Sequence, residues 1–284
     1  MATVVIGARG QLGTDLLRLL GSDGIPPSHD ELDITRIDHV RDALRSLRPE
    51  RVINAAAYNL VDRAEDEPAV AFAVNALGPR HLALVCAELD VPLVHVSTDH
   101  GFGLDAEHRT PYVETDPPGP LSAYATSKLT GEYFVRSLCP RHFVVRTCGL
   151  YGTPSARGKG NFVQTMLRLG REKGRVSVVD DQFCTPTSTA NLARAIIGLA
   201  ATDAYGLYHA TNAGETTWCR FAREIYRLAG MEVEVTAITT AEFGAKARRP
   251  AYSVLDCTKL TRTIDWSLPA WEQALAAYLA GAEL

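Results

Sequence analysis

The sequence predicts an α/β protein of the Rossmann type, with a doubly wound parallel sheet and a smaller, mixed α/β substrate lobe. Three observations support this fold class. A short apolar run leads into a glycine-rich turn, apolar strand candidates alternate with helical patterns through the first half of the chain, and the alternation becomes irregular after Gly152. Alternating strands and helices indicate parallel strands that are covered by helices on both faces.

The first half of the chain supplies most of the predicted sheet. Helices are identified by apolar residues at helical spacing, and strands by short apolar runs between turn residues. In chain order these are a strand at 2–6, a helix at 11–20, strands at 51–57 and 91–98 with a helix at 69–89 between them, a helix at 122–138 and a strand at 142–147. The Gly/Pro/Asp-rich loop at 101–120 should lie over the carboxyl ends of the strands, where such sheets bind ligands.

The second half of the chain mixes lobe elements with the last parts of the sheet. Its predicted elements are helices at 161–172, 190–200, 217–229 and 269–280 and strands at 175–179, 206–210 and 232–238. We therefore assign residues 1–150 to a dinucleotide-binding Rossmann domain that is completed by about residues 185–212. Residues 151–184 and 213–284 form the predicted substrate-binding lobe.

Composition and charge narrow the class of function. The chain has 284 residues and a formal net charge of −4, which gives no general attraction for nucleic acid or anionic lipid. The six cysteines form no CxxC pair and the eight histidines show no HExxH-like spacing, so we expect neither disulfides nor a metal site. A strand pattern directly at the amino terminus, and no apolar run of membrane-spanning length, lead us to expect a cytoplasmic protein.

A phosphate-binding pattern, Gly7-Ala8-Arg9-Gly10-Gln11-Leu12-Gly13, lies between the first strand and the first helix. Gly7 permits a tight turn, Gly10 permits a pyrophosphate to approach the backbone, and Gly13 permits the helix to pack on the sheet. The N–H groups at the start of the helix would hold the anion. The alternative is an ordinary turn with a small packing residue, but the order of strand, turn and helix favours a dinucleotide.

Arg9 and the second strand bear on the choice of dinucleotide. In NAD sites the second strand usually ends in a carboxylate that binds the ribose hydroxyls. Here residues 26–29 read Pro-Pro-Ser-His, and the register of Asp30 and Glu31 does not settle whether such an acid is present. Arg9 could instead pair with a 2′-phosphate, which favours NADPH and leaves NADH open. The alternative for Arg9 is a solvated side chain in an exposed turn.

Tyr124 and Lys128 are four residues apart on a predicted helix, so they lie on one face. An ammonium close to a tyrosine favours the phenolate and lowers the tyrosine pKa, so Tyr124 could donate a proton to a developing alkoxide while Lys128 also binds the cofactor ribose. Ser97-Thr98-Asp99 ends a predicted strand, where a hydroxyl can stabilise charge on a substrate carbonyl. Singly these residues also fit a packed tyrosine, a surface lysine and a capped turn; together they predict a carbonyl reductase.

With further motifs, these residues resemble the extended short-chain dehydrogenase/reductases, and among them the dTDP-4-dehydrorhamnose reductase family. The resemblance covers nearly the whole chain. Its motifs are the glycine turn, Leu32-Asp33-Ile34-Thr35, Asn54-Ala55-Ala56-Ala57, Val61-Asp62-Arg63-Ala64-Glu65, Ser97-Thr98-Asp99, Pro120-Leu121-Ser122-Ala123-Tyr124 with Lys128, Gly131-Glu132, Arg146-Thr147, Val179-Asp180-Asp181-Gln182 and Arg248-Arg249-Pro250. The glycine turn and the Tyr124/Lys128 spacing are common to the superfamily, whereas several of the other motifs are specific to the family.

The resemblance implies NAD(P)H-dependent reduction of the 4-keto group of a nucleotide-linked deoxyhexose, above all dTDP-4-dehydro-L-rhamnose to dTDP-L-rhamnose. It implies that Thr98, Tyr124 and Lys128 are catalytic, with Tyr124 the proton donor. The resemblance also implies cofactor contacts: Gly10, Gln11 and Leu12 at the pyrophosphate, Asp33 and Ile34 at the adenine, and Ala57, Tyr58 and Asn59 at the nicotinamide. The other predicted cofactor-binding residues are Gly7, Arg9, Gly13, Tyr124 and Lys128.

Two positions depart from the family pattern. His100 follows Asp99 where the family usually has tyrosine, and Gly149 stands where the family often has tryptophan. Both positions would contact the sugar, so the deoxyhexose stays open. Two alternatives are kept: a 4-ketoreductase for another dTDP-sugar, and a non-catalytic NADP-binding regulatory subunit resembling the β subunit of methionine adenosyltransferase.

Polar and basic residues supply the other predicted substrate contacts. Asn161, Gln182 and Arg249 would bind the nucleotide diphosphate, while Thr98, Asp99, His100 and Gly149 would lie nearer the sugar. The alternative for Arg249, with its neighbour Arg248, is a solvated pair on a surface loop. We expect a nucleotide sugar as partner, no nucleic acid and no membrane, and leave a homodimer open.

Overall fold

The computed structural model describes residues 1–153 and 160–281, and at its centre is a six-stranded parallel sheet. The strands of the chain are β1 Thr3–Ile6, β2 Gly24–Ile25, β3 Arg51–Asn54, β4 Leu93–Thr98, β5 His142–Thr147, β6 Leu150–Tyr151, β7 Arg175–Val179, β8 Phe183–Cys184, β9 Thr187–Ser188, β10 Gly206–His209, β11 Thr216–Thr217 and β12 Glu234–Ile238. In the central sheet they lie in the order β10-β5-β4-β3-β1-β2.

Helices cover both faces of this sheet. The helices are α1 Gln11–Leu20, α2 Ile37–Leu47, α3 Pro68–Phe72, α4 Gly78–Glu88, α5 Ala123–Leu138, α6 Phe162–Lys173, α7 Thr189–Ala200, α8 Trp218–Leu228, α9 Thr240–Phe243, α10 Thr258–Ile264 and α11 Trp271–Gly281. Successive side chains of a strand face opposite sides, so Val4 and Ile6 pack with α2, α4 and α5, whereas Val5 packs with α1 and α7. The predicted doubly wound Rossmann sheet is confirmed.

The connection of the strands fixes where a ligand binds. From β1 the chain crosses to β2 on one side, whereas β3, β4 and β5 follow one another on the other side. Open α/β sheets bind ligands outside the carboxyl ends of the strands at such a switch point. The glycine turn after β1 and the segment after β3 meet there, since Ala55 N donates a hydrogen bond of 2.9 Å to Ile6 O.

The helices α3 and α4 belong to one continuous helix, Pro68–Glu88, which contains a π-helical turn at Ala73–Leu77. By length and composition this helix could cross a membrane, which corrects our expectation that no segment is long and apolar enough. Half of the most apolar stretch of this helix is buried inside the protein. It packs against α2 and α5 on one face of the sheet, and this packing accounts for its apolar character.

Outside the sheet, α6 and α8 pack on the parallel pair β7 and β12, and α11 packs against α8. Leu260 of α10 and Leu268 join the core of the main sheet instead. A small separate cluster includes Phe102, Tyr112 and Val254, and Tyr112 N donates to Val254 O at 2.9 Å. This cluster ties the loop after β4 to the carboxyl-terminal part of the chain.

Candidate active site

The glycine turn leaves room for an anion at the start of α1. Gly7 has φ +80°, and a Cβ there would lie 2.7 Å from Ala56 N. A Cβ on Gly13 would lie 2.3 Å from Gly7 O, whereas a Cβ on Gly10 would meet only that oxygen, at 3.2 Å. Within residues 1–153 and 160–281 no side chain caps α1, and the first turn of this helix carries no acid. Because the first N–H groups of a helix have no partner within it, these residues fit a pyrophosphate.

The residues predicted at the adenosine end are ordered by local contacts. Asp33 accepts hydrogen bonds from the N and Oγ1 of Thr35, at 2.9 and 2.7 Å. Although partial burial opposes the change, these bonds lower the pKa of Asp33. Ile34 is buried and its carbonyl oxygen bonds His81 Nδ1 at 2.9 Å, whereas Arg9 is exposed. Their contacts with a cofactor stay predictions.

Asn75, in the π-helical turn, holds the segment Ala57-Tyr58-Asn59 against helix α5. Its Oδ1 accepts from Tyr58 N at 2.8 Å, and its Nδ2 donates to Tyr58 O at 2.9 Å and to Ser127 Oγ at 3.0 Å. Ser127 in turn donates to Tyr124 O at 2.7 Å. Sequence reasoning missed Asn75, since a single asparagine in an apolar helix belongs to no recognisable motif.

Two further contacts fix the start of α5. Glu65 accepts a hydrogen bond from Ala123 N at 2.8 Å, and the Ser122 hydroxyl caps the helix by accepting from Ala125 N at 3.2 Å. The family motif that ends in Glu65 therefore has a physical role, because it docks the loop after β3 on the helix that carries Tyr124.

Thr98, Tyr124 and Lys128 meet at the carboxyl end of β4. Their exposed fractions are 6%, 9% and 2%, so all three side chains are buried. The Thr98 hydroxyl donates to Asp99 Oδ1 at 3.1 Å and accepts from the backbone N of His100 at 3.2 Å. Lys128 Nζ donates to the backbone carbonyl oxygen of Val96 at 2.6 Å. The predicted group is thus assembled from one strand end and one helix.

Burial dominates the acidity of Tyr124 and Lys128. It raises the pKa of Tyr124 to about 12, while the Thr98 hydroxyl acts in the opposite direction. It lowers the pKa of Lys128 to about 8, against the attraction of Glu132. The expectation that Lys128 lowers the pKa of Tyr124 is therefore wrong for this structure, because desolvation is the largest cause of the shift and the Lys128 ammonium is directed at a backbone carbonyl. Tyr124 stays protonated at neutral pH and can donate a proton.

A buried ion pair lies directly behind the catalytic group. Arg146 Nη2 and Nε bond Glu132 Oε2 and Oε1 at 2.7 and 3.0 Å, and each side chain is only 1% exposed. The Ser97 hydroxyl also donates to Glu132. Glu132 stands one helical turn after Lys128, and Ser97 precedes Thr98, so this pair couples α5 to the ends of β4 and β5.

The two positions that depart from the family pattern also lie at this site. The His100 ring meets the Tyr124 ring at right angles, with centroids 5.8 Å apart. Gly149 has φ +50°, and a Cβ there would lie 2.9 Å from Cη2 of Trp218. A tryptophan from α8 therefore covers the Gly149 backbone, and this neighbour was not predicted because it comes from a distant element.

The residues predicted to bind the diphosphate make bonds within the protein. Asn161 caps α6 and donates to Gln11 Oε1 at 2.7 Å. Gln182 Nε2 donates to a threonine hydroxyl at 2.9 Å. Arg249 forms two hydrogen bonds to Asp62, at 2.8 and 3.0 Å. Asn161 thus bonds the first residue of α1, and Arg249 bonds the segment after β3. Their contacts with a substrate stay predictions.

A Rossmann sheet that places a threonine, a tyrosine and a lysine beside a dinucleotide turn defines a nicotinamide-dependent oxidoreductase of the short-chain dehydrogenase/reductase class. Comparison with known proteins places it more narrowly. Residues 1–283 match the family model described as the RmlD substrate binding domain. The chain belongs to this family, the dTDP-4-dehydrorhamnose reductases.

Several relatives share nearly the whole chain. A dTDP-4-dehydrorhamnose reductase from Streptomyces griseus is 41% identical over 96% of this chain and 91% of its own. A probable dTDP-4,6-dihydroxy-2-methyloxan-3-one 4-ketoreductase from Streptomyces antibioticus is also 41% identical, over 97% of this chain and 93% of its own. The crystal structure of dTDP-4-dehydrorhamnose reductase from Bacillus anthracis in complex with NADP has a TM-score of 0.94 at 38% identity, covering 99% of this chain and 100% of that one.

Proposed function

We propose that this enzyme reduces the 4-keto group of dTDP-4-dehydro-L-rhamnose with NADPH and forms dTDP-L-rhamnose. The observation that carries the proposal is that Tyr124, Thr98 and Lys128 meet at the carboxyl end of β4, at the same edge of the parallel sheet as a turn that fits a dinucleotide. Its relatives in the family support the substrate, and the NADP complex of the Bacillus anthracis protein supports the cofactor.

The chain's own residues divide the work at the carbonyl. When bound, NADPH supplies a hydride for the carbonyl carbon. Tyr124 donates its phenolic proton to the carbonyl oxygen as negative charge grows there, and Thr98 donates a hydrogen bond to the same oxygen. A hydroxyl has only one proton, so Thr98 turns its proton from Asp99 to the substrate when the sugar binds. Gly10, Gln11 and Leu12 would hold the pyrophosphate, and Lys128 the ribose.

A second substrate is favoured by a specific observation. The Streptomyces antibioticus 4-ketoreductase is as similar to this chain as the Streptomyces griseus reductase is. His100 and Gly149 also depart from the family pattern at the sugar end of the site. Reduction of another dTDP-linked 4-keto sugar is therefore the second candidate. A non-catalytic regulatory subunit is disfavoured, because all three catalytic residues are present and assembled.

Four further assignments complete the proposal. Residues 151–184 and 213–284 would form the substrate lobe, supported by the separate apolar cluster of α6, α8 and α11. Arg9 would pair with the 2′-phosphate, supported by its exposure in the turn. The location would be the cytoplasm, and the assembly a homodimer, supported by the exposed apolar side chains Val70, Leu77 and Tyr133 on neighbouring helices.

The decisive experiment uses freshly prepared dTDP-4-dehydro-L-rhamnose. We expect the purified enzyme to oxidise NADPH in its presence and Tyr124→Phe to lower kcat by about 10²- to 10⁴-fold, the range for loss of a general acid. The dissociation constant for NADPH, measured by calorimetry, should stay unchanged in the variant. If both proteins bind NADPH and are equally inert with every dTDP-4-keto sugar tested, the regulatory-subunit alternative is correct.

A further inference from the structure

The Thr98 hydroxyl has one proton, which the protein and the substrate must share. Its oxygen accepts from the backbone N of His100 at 3.2 Å, and its proton is directed at Asp99 Oδ1 at 3.1 Å. In the proposed reaction this proton turns to the keto oxygen of the sugar, and Asp99 then loses a hydrogen bond. Because a buried carboxylate is costly without donors, the ease of this turn depends on what else bonds Asp99.

Ser253 donates a hydrogen bond to the other oxygen of that carboxylate. The Ser253 hydroxyl lies 2.6 Å from Asp99 Oδ2, although the two residues are 154 positions apart in the sequence. Asp99 thus accepts one hydroxyl proton at each carboxylate oxygen, from Thr98 and from Ser253. Asp99 is 3% exposed and Ser253 is 4% exposed, so both bonds are shielded from water. The predicted substrate contact Asp99 is therefore also the link between Ser253 and the catalytic threonine.

The segment that carries Ser253 is held in place by other contacts. Ser253 N donates to Phe183 O at 2.9 Å, which ties the segment to β8. The neighbours on either side, Tyr252 and Val254, are buried in the small apolar cluster that includes Phe102. Neither contact uses the Ser253 hydroxyl, so the segment should stay in place when the hydroxyl is removed.

We propose that Ser253 is a positioning residue for Thr98, a role that rests on the proposed function. Before the sugar binds, Asp99 accepts the protons of both hydroxyls. When Thr98 turns its proton to the keto oxygen, the bond from Ser253 keeps the buried carboxylate paired. Without that bond Asp99 holds the Thr98 proton more firmly, and Thr98 gives less stabilisation to the negative charge that grows on the substrate.

Ser253→Ala removes one hydroxyl oxygen and keeps the backbone bond to Phe183. With NADPH and dTDP-4-dehydro-L-rhamnose we expect kcat to fall roughly 10- to 100-fold, the range for losing a hydrogen bond to a charged group. KM for the sugar and the dissociation constant for NADPH should stay unchanged, because the bond acts when charge develops. Ser253→Thr keeps the donor and should keep the kcat of wild type.

The matched control is Tyr252→Phe in the same segment. It also removes one hydroxyl that donates to a carboxylate, in this case Glu215 Oε2 at 3.1 Å. The control should leave kcat unchanged, because Glu215 is exposed and bonds no residue of the catalytic group in the part of the chain that the structure describes.

A double-mutant cycle shows whether Ser253 acts through Thr98. Thr98→Val removes the hydroxyl on which Ser253 is proposed to act. We therefore expect Ser253→Ala to lower kcat when it is made in the wild type, and to lower it no further when it is made in Thr98→Val. Two independent effects would multiply instead, and a double variant whose loss is the product of the single losses overturns the proposal.

Other outcomes overturn the proposal as well. If Ser253→Ala raises KM for the sugar and leaves kcat unchanged, Ser253 is a substrate contact. If Tyr252→Phe or Ser253→Thr slows the enzyme as much as Ser253→Ala does, or if Ser253→Ala does not fold, the segment has a structural role and the bond to Asp99 does not set the rate. A wild-type enzyme that is inert with every dTDP-4-keto sugar refutes the proposed function and this role together, whereas an active wild type with an unaffected Ser253→Ala variant refutes only the role of Ser253.

Discussion

Single residues at this active site are tuned by burial more than by paired charges. Tyr124 keeps its proton because its phenolate would be desolvated, and Lys128 loses part of its basicity for the same reason. Glu132 is also buried, and its carboxylate is bonded by Arg146 and Ser97. Tyr124, Lys128 and Glu132 lie on one helix. The net charge next to Lys128 therefore depends on how completely Arg146 and Ser97 pair the Glu132 carboxylate.

The Glu132 pair should therefore be costly to break. In Glu132→Gln the Arg146 guanidinium stays buried without its counter-charge, and we expect the free energy of unfolding to fall by about 3–5 kcal/mol. The measurement is urea unfolding of the cofactor-free protein. Glu88→Gln is the matched control, because Glu88 bonds Arg41 but is 41% exposed, and such pairs contribute about 0–1 kcal/mol. Equal losses in the two variants would show that burial of the pair is unimportant.

At the scale of elements, the π-helical turn Ala73–Leu77 is the joint between the segment after β3 and the helix α5, which carries Tyr124. It directs Asn75 at both Tyr58 and Ser127, and π-helical turns are frequent at functional sites. Close approach of α5 depends on Gly131, because a Cβ there would lie 2.2 Å from Asn75 O. The geometry of Tyr124 thus depends on a glycine two turns along its own helix.

Gly131→Ala tests this joint. The added methyl group must push α5 from the π-helical turn, so we expect a loss of about 1–3 kcal/mol in stability. Because Tyr124 moves with the helix, kcat should fall as well. Gly198→Ala on α7 is the control, since its nearest neighbour would be Ile264 at 3.8 Å and the change should stabilise the helix by about 0.5–1 kcal/mol. Unchanged kcat in Gly131→Ala would show that the joint does not position Tyr124.

At the scale of the whole molecule, the sequence predicted what local spacing determines. The parallel sheet, the glycine turn and the Tyr124/Lys128 face follow from patterns within a few residues of each other. The strand predicted at 51–57 is too long, because β3 ends at Asn54, whose Oδ1 accepts from Ala56 N at 3.1 Å and turns the chain. The helices α2 and α10 were not predicted, since each carries few buried side chains.

The partners of the site residues could not be predicted in the same way. Arg249 bonds Asp62, and Asn161 bonds Gln11, although the residues of each pair lie far apart in the sequence. The direction of the Tyr124 pKa likewise depends on how completely the surrounding elements exclude water. Spacing in the sequence shows which side chains share a face of one helix, but not what another helix places against that face.

The buried thiols give the whole protein a predictable alkaline limit. Burial raises the pKa of Cys86 and Cys257, and that of Cys139 to about 11, from an ordinary value of 9.0. Above about pH 9 these thiols ionise when unfolded but stay protonated when folded. Their contribution to stability is therefore complete below pH 9 and lost as the pH rises, by about 1.4 kcal/mol per thiol for each pH unit.

Lys128 acts in the opposite direction, because its pKa of about 8 lies below its ordinary 10.5, so stability gained from it increases between these two values. Several thiols outweigh one lysine, and we expect the free energy of unfolding, measured by urea titration under reducing conditions, to fall steadily between pH 9 and pH 11. In Cys86→Ala the free energy of unfolding should fall less steeply with pH, by the contribution of one ionising thiol. In Lys128→Met it should fall more steeply below pH 10.5. A slope that Cys86→Ala leaves unchanged would mean that this thiol ionises equally in the folded and unfolded chains, and that its burial does not protect its proton.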